Sequence, residues 1–141
     1  MRTCLAAGDN QSALNIVHAL GYNDKMSAAL DALILQRGLP DDPPDAQRRL
    51  ISASVAGIRV VNVYVPNGES VQSDKFPYKL GWLARLESWL AASARPTDPL
   101  VLLGDFNIAP EDRDVHDPEA WRGQVLFHPK EHAALRRRPR A

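Results

Sequence analysis

Apolar and polar positions along the chain follow two different periods, and the switch between them marks its elements. Residues Ser12 to Leu20 and Lys25 to Gln36 are rich in Ala and Leu, and Met26, Leu30, Leu33 and Ile34 recur at helical spacing. Asp24 can cap the second stretch and Gly38 can end it, so a helical segment is expected there. Pro40-Asp41-Asp42-Pro43-Pro44-Asp45 then breaks the chain. From Arg49 the period becomes two, with Leu50, Ser52 and Ser54 on one side and Ile51, Ala53 and Val55 on the other. Ala56-Gly57 provides a tight turn into a β-branched run, Ile58 to Val65, which predicts a hairpin. Pro66-Asn67-Gly68 ends that run in a second turn.

The helical period returns over Phe76 to Ala94, where Trp82, Leu83, Leu86, Trp89 and Leu90 make one face apolar and suit it to covering a sheet. Leu100-Val101-Leu102-Leu103 follows, and four consecutive apolar residues predict a strand buried on both faces. Gly104 closes it and permits a ligand or neighbouring backbone to come near. Strand, long helix and strand make a βαβ-like crossover. If the strands are parallel, the ends of the Val65 and Leu103 runs lie at one edge, where function concentrates in such sheets.

Composition narrows the class. The chain has 141 residues, 45% of them hydrophobic, enough for one modest core, while 11 prolines argue against a helical bundle. Lys+Arg and Asp+Glu are 17 each, so the charge footprint of a nucleic-acid binder is missing and charge neither supports nor excludes DNA. Charge is local instead. Asp105, Glu111, Asp112, Asp114, Asp117 and Glu119 stand against Arg113 alone, which suits a nearby cation, although all but Asp105 read better as a solvated loop. Arg136-Arg137-Arg138-Pro139-Arg140 is a basic tail, better read as a loose end than as a phosphate contact. The single Cys4 allows no internal disulfide and fits a reducing cytoplasm. No window approaches the roughly 18 apolar residues of a membrane span, so no membrane is expected.

Candidate chemistry sits where the Leu100 run ends. A period of two aims Asp105 and Asn107 at the same side, a carboxylate beside a carboxamide, and such a pair of hard oxygens suits magnesium or a phosphate held by it. Asp and Asn also cap turns, and that reading stays open. Tyr64 stands at the end of the other strand and brings a phenol to the same cleft, unless it is a half-buried strand residue whose hydroxyl merely finds a partner.

Four blocks carry a resemblance. Val61-Asn62-Val63-Tyr64-Val65-Pro66-Asn67-Gly68-Glu69, Lys75-Phe76-Pro77-Tyr78-Lys79-Leu80, Gly104-Asp105-Phe106-Asn107-Ile108-Ala109-Pro110 and Asp114-Val115-His116-Asp117-Pro118-Glu119-Ala120-Trp121 occur in the order and spacing of the bacterial exonuclease III family. The Gly-Asp-Phe-Asn block alone resembles the wider endonuclease/exonuclease/phosphatase superfamily, whereas the Tyr-Val-Pro-Asn-Gly and Asp-Val-His-Asp-Pro blocks resemble its DNA-repair branch. The resemblance runs from about Gly38 to about Leu135. It implies an α/β fold, a partial endonuclease/exonuclease/phosphatase-type sandwich with a helical N-terminal segment. Residues 1–39 do not match the family, residues 40–135 match its central part, and residues 136–141 form the basic tail.

The same resemblance implies metal-dependent hydrolysis of DNA phosphodiesters with Mg2+ (or Mn2+): 3′ to 5′ exonuclease and abasic-site endonuclease action on double-stranded DNA by a monomer. Tyr64 matches the family's active-site tyrosine, Asp105 the aspartate that activates water beside the metal, and Asn107 the asparagine that steadies the phosphate; Asp105 and Asn107 are the matched metal candidates. The family's N-terminal Asn and Glu strands and its C-terminal Asp-His motif have no counterpart here. An incomplete chain with little or no nuclease activity of its own is therefore expected. Two alternatives stand beside the nuclease: a non-catalytic fragment, and a phosphatase or phosphodiesterase of the same superfamily acting on a small molecule or lipid head group.

Overall fold

A computed structural model describes residues 34–55 and 57–136. The chain divides into two units, Met1–Ile34 and Leu35–Ala141, and all the described residues but Ile34 belong to the second. The expected helix over residues 12–20, most of that over residues 25–36, Cys4 and nearly all of the basic tail lie outside the described residues.

Four strands form one sheet in the order β1 (Ile34–Arg37), β2 (Leu50–Val55), β3 (Ile58–Tyr64) and β4 (Leu100–Asp105). Ile34 to Gln36, expected at the end of a helix, lie in β1 instead. Their alternation of half-buried and exposed side chains suits an edge strand, and sheet pairing outweighs local helix propensity. Strands β2 and β3 are the expected antiparallel hairpin, in register from Leu50↔Val63 to Val55↔Ile58. Gly57 takes a φ of 80° in the turn between them, a conformation that costs glycine little.

Helix α1 (Lys75–Ser93) returns the chain from the end of β3 to the start of β4, and these strands pair in parallel, as the crossover pattern predicts. Its residues Phe76, Trp82, Leu83 and Leu86 are buried. Leu50, Val61, Val63 and Val65 meet Trp82, Leu83 and Leu86 in the core, which Trp89, Leu90, Leu100 and Leu102 border. Arg59 ties the far end of α1 to the sheet: its Nη1 donates to Ser93 O at 2.6 Å, its Nε to Ser52 Oγ at 3.1 Å, and its guanidinium stacks 4.8 Å from the Trp89 ring. It thereby satisfies a carbonyl that the helix end leaves without a partner. Two short helices follow, α2 (Pro118–Trp121) and α3 (Pro129–Arg136).

Only one face of the sheet is covered by α1. The expectation that Leu100 to Leu103 would be buried on both faces fails, because Val101 is 45% and Leu103 42% exposed. These two share their face with Ile51 and Ile58 by register, and both of those are exposed too. Strand β4 thus alternates as a half-covered strand does, although its composition is uniformly apolar.

Gly104 has φ 133°, and a Cβ there would stand 1.9 Å from the carbonyl oxygen of Val63. Backbone, unlike a flexible side chain, cannot move aside. Gly104→Ala should therefore lower stability by about 3–5 kcal/mol and loosen the β3–β4 pairing; a urea midpoint unchanged from the parent would refute this packing.

The link between β1 and β2 is fastened to α1 by Arg85, which donates to Asp41 at 2.7 and 2.6 Å and to Asp42 at 2.6 Å. Hydrogen bonding from Arg85 holds the Asp41 carboxyl below its ordinary range. A carboxyl lowered in the folded state contributes stability above its unfolded value, and that contribution disappears as pH falls through the lowered value. Arg85→Ala should thus lower the thermal midpoint at neutral pH and flatten its decline below about pH 4, measured by circular dichroism against the parent.

Candidate active site

Strands β3 and β4 end together. Tyr64 and Asp105, their last residues, are Cα partners in the parallel register, and Val65 N–H carries the ladder one step further by donating to Asp105 O at 2.9 Å. Paired residues point to the same face, so phenol and carboxylate stand side by side on the face that α1 leaves open. Tyr64 is 53% exposed, and its hydroxyl has no partner among the described residues, unlike a half-buried strand tyrosine. The Arg49 guanidinium lies 5.2 Å from its ring centroid.

Asn107 reaches the same place by a different route from the one its spacing predicts. The strand stops at Asp105, and Asn107 adopts φ 49°, so no pleat aligns the two side chains. A turn does so instead: the Asn107 N–H donates to Asp105 Oδ1 at 2.9 Å. The capping role and the cleft position are therefore one arrangement. The Asn107 side chain is fixed at both ends, with Nδ2 donating to Val65 O at 2.9 Å and Oδ1 accepting from Asn67 Nδ2 at 3.2 Å. Asn67 in turn accepts the Glu69 N–H at 3.1 Å, which shapes the turn after β3.

Two residues that sequence reasoning did not place in the site organise it. Asn67 orients the Asn107 amide from the opposite turn. Lys79, wholly buried on α1, donates to Asn67 O at 3.1 Å, to Asn107 O at 2.5 Å and to the carboxylate of buried Glu131 on α3. A lysine standing three residues after Phe76 and three before Trp82, on an otherwise apolar helix face, was the available signal.

Four of the acidic residues beyond Asp105 serve local structure. Asp114 Oδ2 accepts the Glu111 N–H at 3.0 Å, Asp117 caps α2 by accepting the Ala120 N–H at 3.1 Å, and Glu111 and Glu119 pair with Arg113 and Arg122. Glu69 pairs with Lys75 at 2.9 Å, and hydrogen bonding from Lys75, then from Ser73, holds its carboxyl below the ordinary range. Among the described residues no three His, Cys, Asp or Glu side chains gather as a metal cluster. What the cleft offers is the free oxygen of Asp105 and the remaining lone pair of Asn107 Oδ1. These are hard donors for an ion that keeps most of its water, as magnesium does, and they do not form a closed cage.

Comparison with known proteins identifies the family. The chain is 34% identical over 115 residues to exodeoxyribonuclease III of Haemophilus influenzae, an alignment spanning 74% of this chain and 43% of that protein. Among solved structures, a Neisseria 3′ phosphatase, NExo, bound to a product DNA hairpin matches with a TM-score of 0.66 and 44% identity over 71% of this chain and 39% of its own. An AP endonuclease from Archaeoglobus fulgidus matches with a TM-score of 0.65 and 40% identity, over 72% of this chain and 38% of its own. The chain thus spans less than half the length of each relative. The model of the endonuclease/exonuclease/phosphatase family matches residues 22–139, and with the parallel strand ends and the turn that joins Asp105 to Asn107 already in place, this chain belongs to that family.

Proposed function

We propose that the chain forms part of a DNA-repair nuclease that hydrolyses phosphate esters of double-stranded DNA, at 3′ ends and beside abasic sites, with magnesium or manganese. The observation that carries this reading is the pairing of Tyr64 with Asp105 at the ends of two parallel strands, with Asn107 hydrogen-bonded to the Asp105 carboxylate. The named relatives act on DNA as exonuclease, 3′ phosphatase and AP endonuclease, which favours a DNA ester over a lipid head group or small phosphate.

Asp105 and Asn107 are the residues that would hold the ion, which when bound draws charge from a phosphoryl oxygen. One Asp105 oxygen is occupied by the Asn107 N–H; the other is free to orient a water and take its proton as the water oxygen attacks phosphorus, while the ester P–O bond breaks with its electron pair on the sugar oxygen, which is protonated from solvent to the hydroxyl. The exposed Tyr64 hydroxyl and the second hydrogen of Asn107 Nδ2 donate to the phosphate as its negative charge grows. Fixing that amide through Val65 O and Asn67 means it need not reorganise during the reaction. A monomer acting in the cytoplasm fits this role.

The two-donor set favours a second reading for this chain by itself, in which it binds metal weakly and turns over slowly or not at all. One experiment addresses both readings. Titration with Mn2+ should broaden the amide resonances of Tyr64, Val65 and Gly104 to Asn107 first, with affinity on the order of millimolar, and Asp105→Asn should abolish that local broadening. Phosphate release from a hairpin DNA bearing a 3′-phosphate should be slow, and at least about 100-fold slower in Asp105→Asn. Broadening centred elsewhere, or release that survives Asp105→Asn, would overturn the assignment; local broadening without any release would favour the non-catalytic reading.

A further inference from the structure

The Lys79 ammonium is wholly buried and has three hydrogens for three acceptors: Asn67 O, Asn107 O and the Glu131 carboxylate. The other Glu131 oxygen accepts the His128 N–H at 3.1 Å, so the network closes without water. Room for the lysine stem is made by Gly68, where φ is 93° and a Cβ would stand 3.1 Å from Lys79 Cδ.

A buried ion pair is a costly way to fill a core. Apolar side chains of similar volume often serve folding as well or better, whereas removal of one partner strands a charge. What an apolar residue cannot do is donate to carbonyls. The two carbonyls that Lys79 takes belong to the two turns of the site, one after each parallel strand, and neither turn belongs to a regular element that would satisfy them. Asn107 is left-handed, a conformation that costs a residue with a side chain, and any relaxation toward the extended region would redirect its carbonyl and its side chain away from Val65 O and Asn67. An inward carbonyl held at 2.5 Å by an ammonium disfavours that alternative.

We propose that Lys79 is a positioning residue of the site: through the carbonyls of Asn67 and Asn107 it clamps the two turns together and fixes the Asn107 amide beside Asp105, while Glu131 balances its charge. This rests on the reading of Asn107 as the group that receives the phosphate. The proposal concerns orientation and assigns Lys79 no contact with substrate.

The test separates orientation from folding. Lys79→Met alone leaves Glu131 buried and unpaired and should destabilise the chain. The double variant Lys79→Met/Glu131→Met removes both charges and should restore most of the urea midpoint that the single variant loses, the remainder reflecting the unpaired Asn67 and Asn107 carbonyls and His128 N–H. In that refolded background the Asn107 amide should exchange with solvent at least about tenfold faster, because the turn that directs it to Asp105 Oδ1 is no longer held, while amides in the β2–β3 hairpin keep their parent rates. Single-turnover phosphate release from the 3′-phosphate hairpin should fall by a similar factor at saturating protein, with the half-saturating concentration changed less than about threefold. Parent-like exchange at Asn107 in a double variant with a restored midpoint would overturn the proposal and leave Lys79 as core filling. Should the double variant not fold, Glu131→Gln, which leaves Lys79 and its bonds to the Asn67 and Asn107 carbonyls in place, is to retain the parent's slow Asn107 exchange; fast exchange there would overturn the proposal as well. Absence of release from the parent would count against the nuclease reading, and the exchange measurement would still decide the role of Lys79.

Discussion

Everything at this site depends on two parallel strands coming close enough, for long enough, to end at the same level. The ladder from Arg59↔Leu100 to Tyr64↔Asp105 reaches its last step only because residue 104 has no side chain, since the space a Cβ would need belongs to the Val63 carbonyl. A larger residue would push the strands apart one position before the end, and the phenol and the carboxylate would part with them. The close approach is thus a constraint on the backbone that is expressed in the chemistry of two side chains. It also fixes where the turns start, because the Val65 N–H to Asp105 carbonyl bond fastens the first residue beyond β3 to the last residue of β4.

Side-chain parity does the rest of the placement. Val61 and Val63 on β3, with Leu100 and Leu102 on β4, point to α1 and build or border the core. Their alternation commits Tyr64 and Asp105 to the opposite face. Burial of one set therefore presents the other to solvent, and the stability of the core holds the site residues in register without any contact made for that purpose. The cost of this arrangement is visible on the same face, where Ile51, Ile58, Val101 and Leu103 remain open to water.

Much of this was legible in the chain. Alternation over Leu50 to Val55, the β-branched run after Gly57 and the apolar stripe of Phe76 to Leu90 predict the hairpin and the crossover helix, because each pattern reflects a face that packs within its own neighbourhood. The four apolar letters of β4 misled, since a run without polar residues cannot reveal that one side is uncovered. Ile34 to Gln36 misled for a related reason: helix-favouring residues are recruited to a sheet edge by pairing that local spacing does not encode. Type and position nominated Tyr64, Asp105 and Asn107, which the structure brings together at the ends of β3 and β4, but the period of two gave the wrong cause for the last. Asn67 and Lys79 were hidden because their work is done through carbonyls and an amide across 40 and 28 residues of chain, and such partners have no local pattern.

The distribution of charge shows how a chain with no net charge can still leave one carboxylate without a cationic partner among the described residues. Glu111, Asp114, Asp117 and Glu119 are engaged in caps and surface pairs, and Asp41 and Asp42 in the Arg85 clasp, so their charges are met where they arise. Lys79, buried on α1, is paired with Glu131 and spends its other two hydrogens on the carbonyls of Asn67 and Asn107. Asp105 stands apart from all of these. It shares one oxygen with a backbone N–H and has no cationic partner among the described residues. A carboxylate held by a single backbone N–H keeps its orientation and leaves its second oxygen unpaired, where a salt bridge would occupy both its charge and its geometry. The neutral neighbours, a phenol and a fixed carboxamide, add donors without supplying the missing counter-charge. The carboxylate at the mouth of the two strands is therefore oriented but unpaired, and an oriented, unpaired oxygen is what the proposed recruitment of an ion at this place requires.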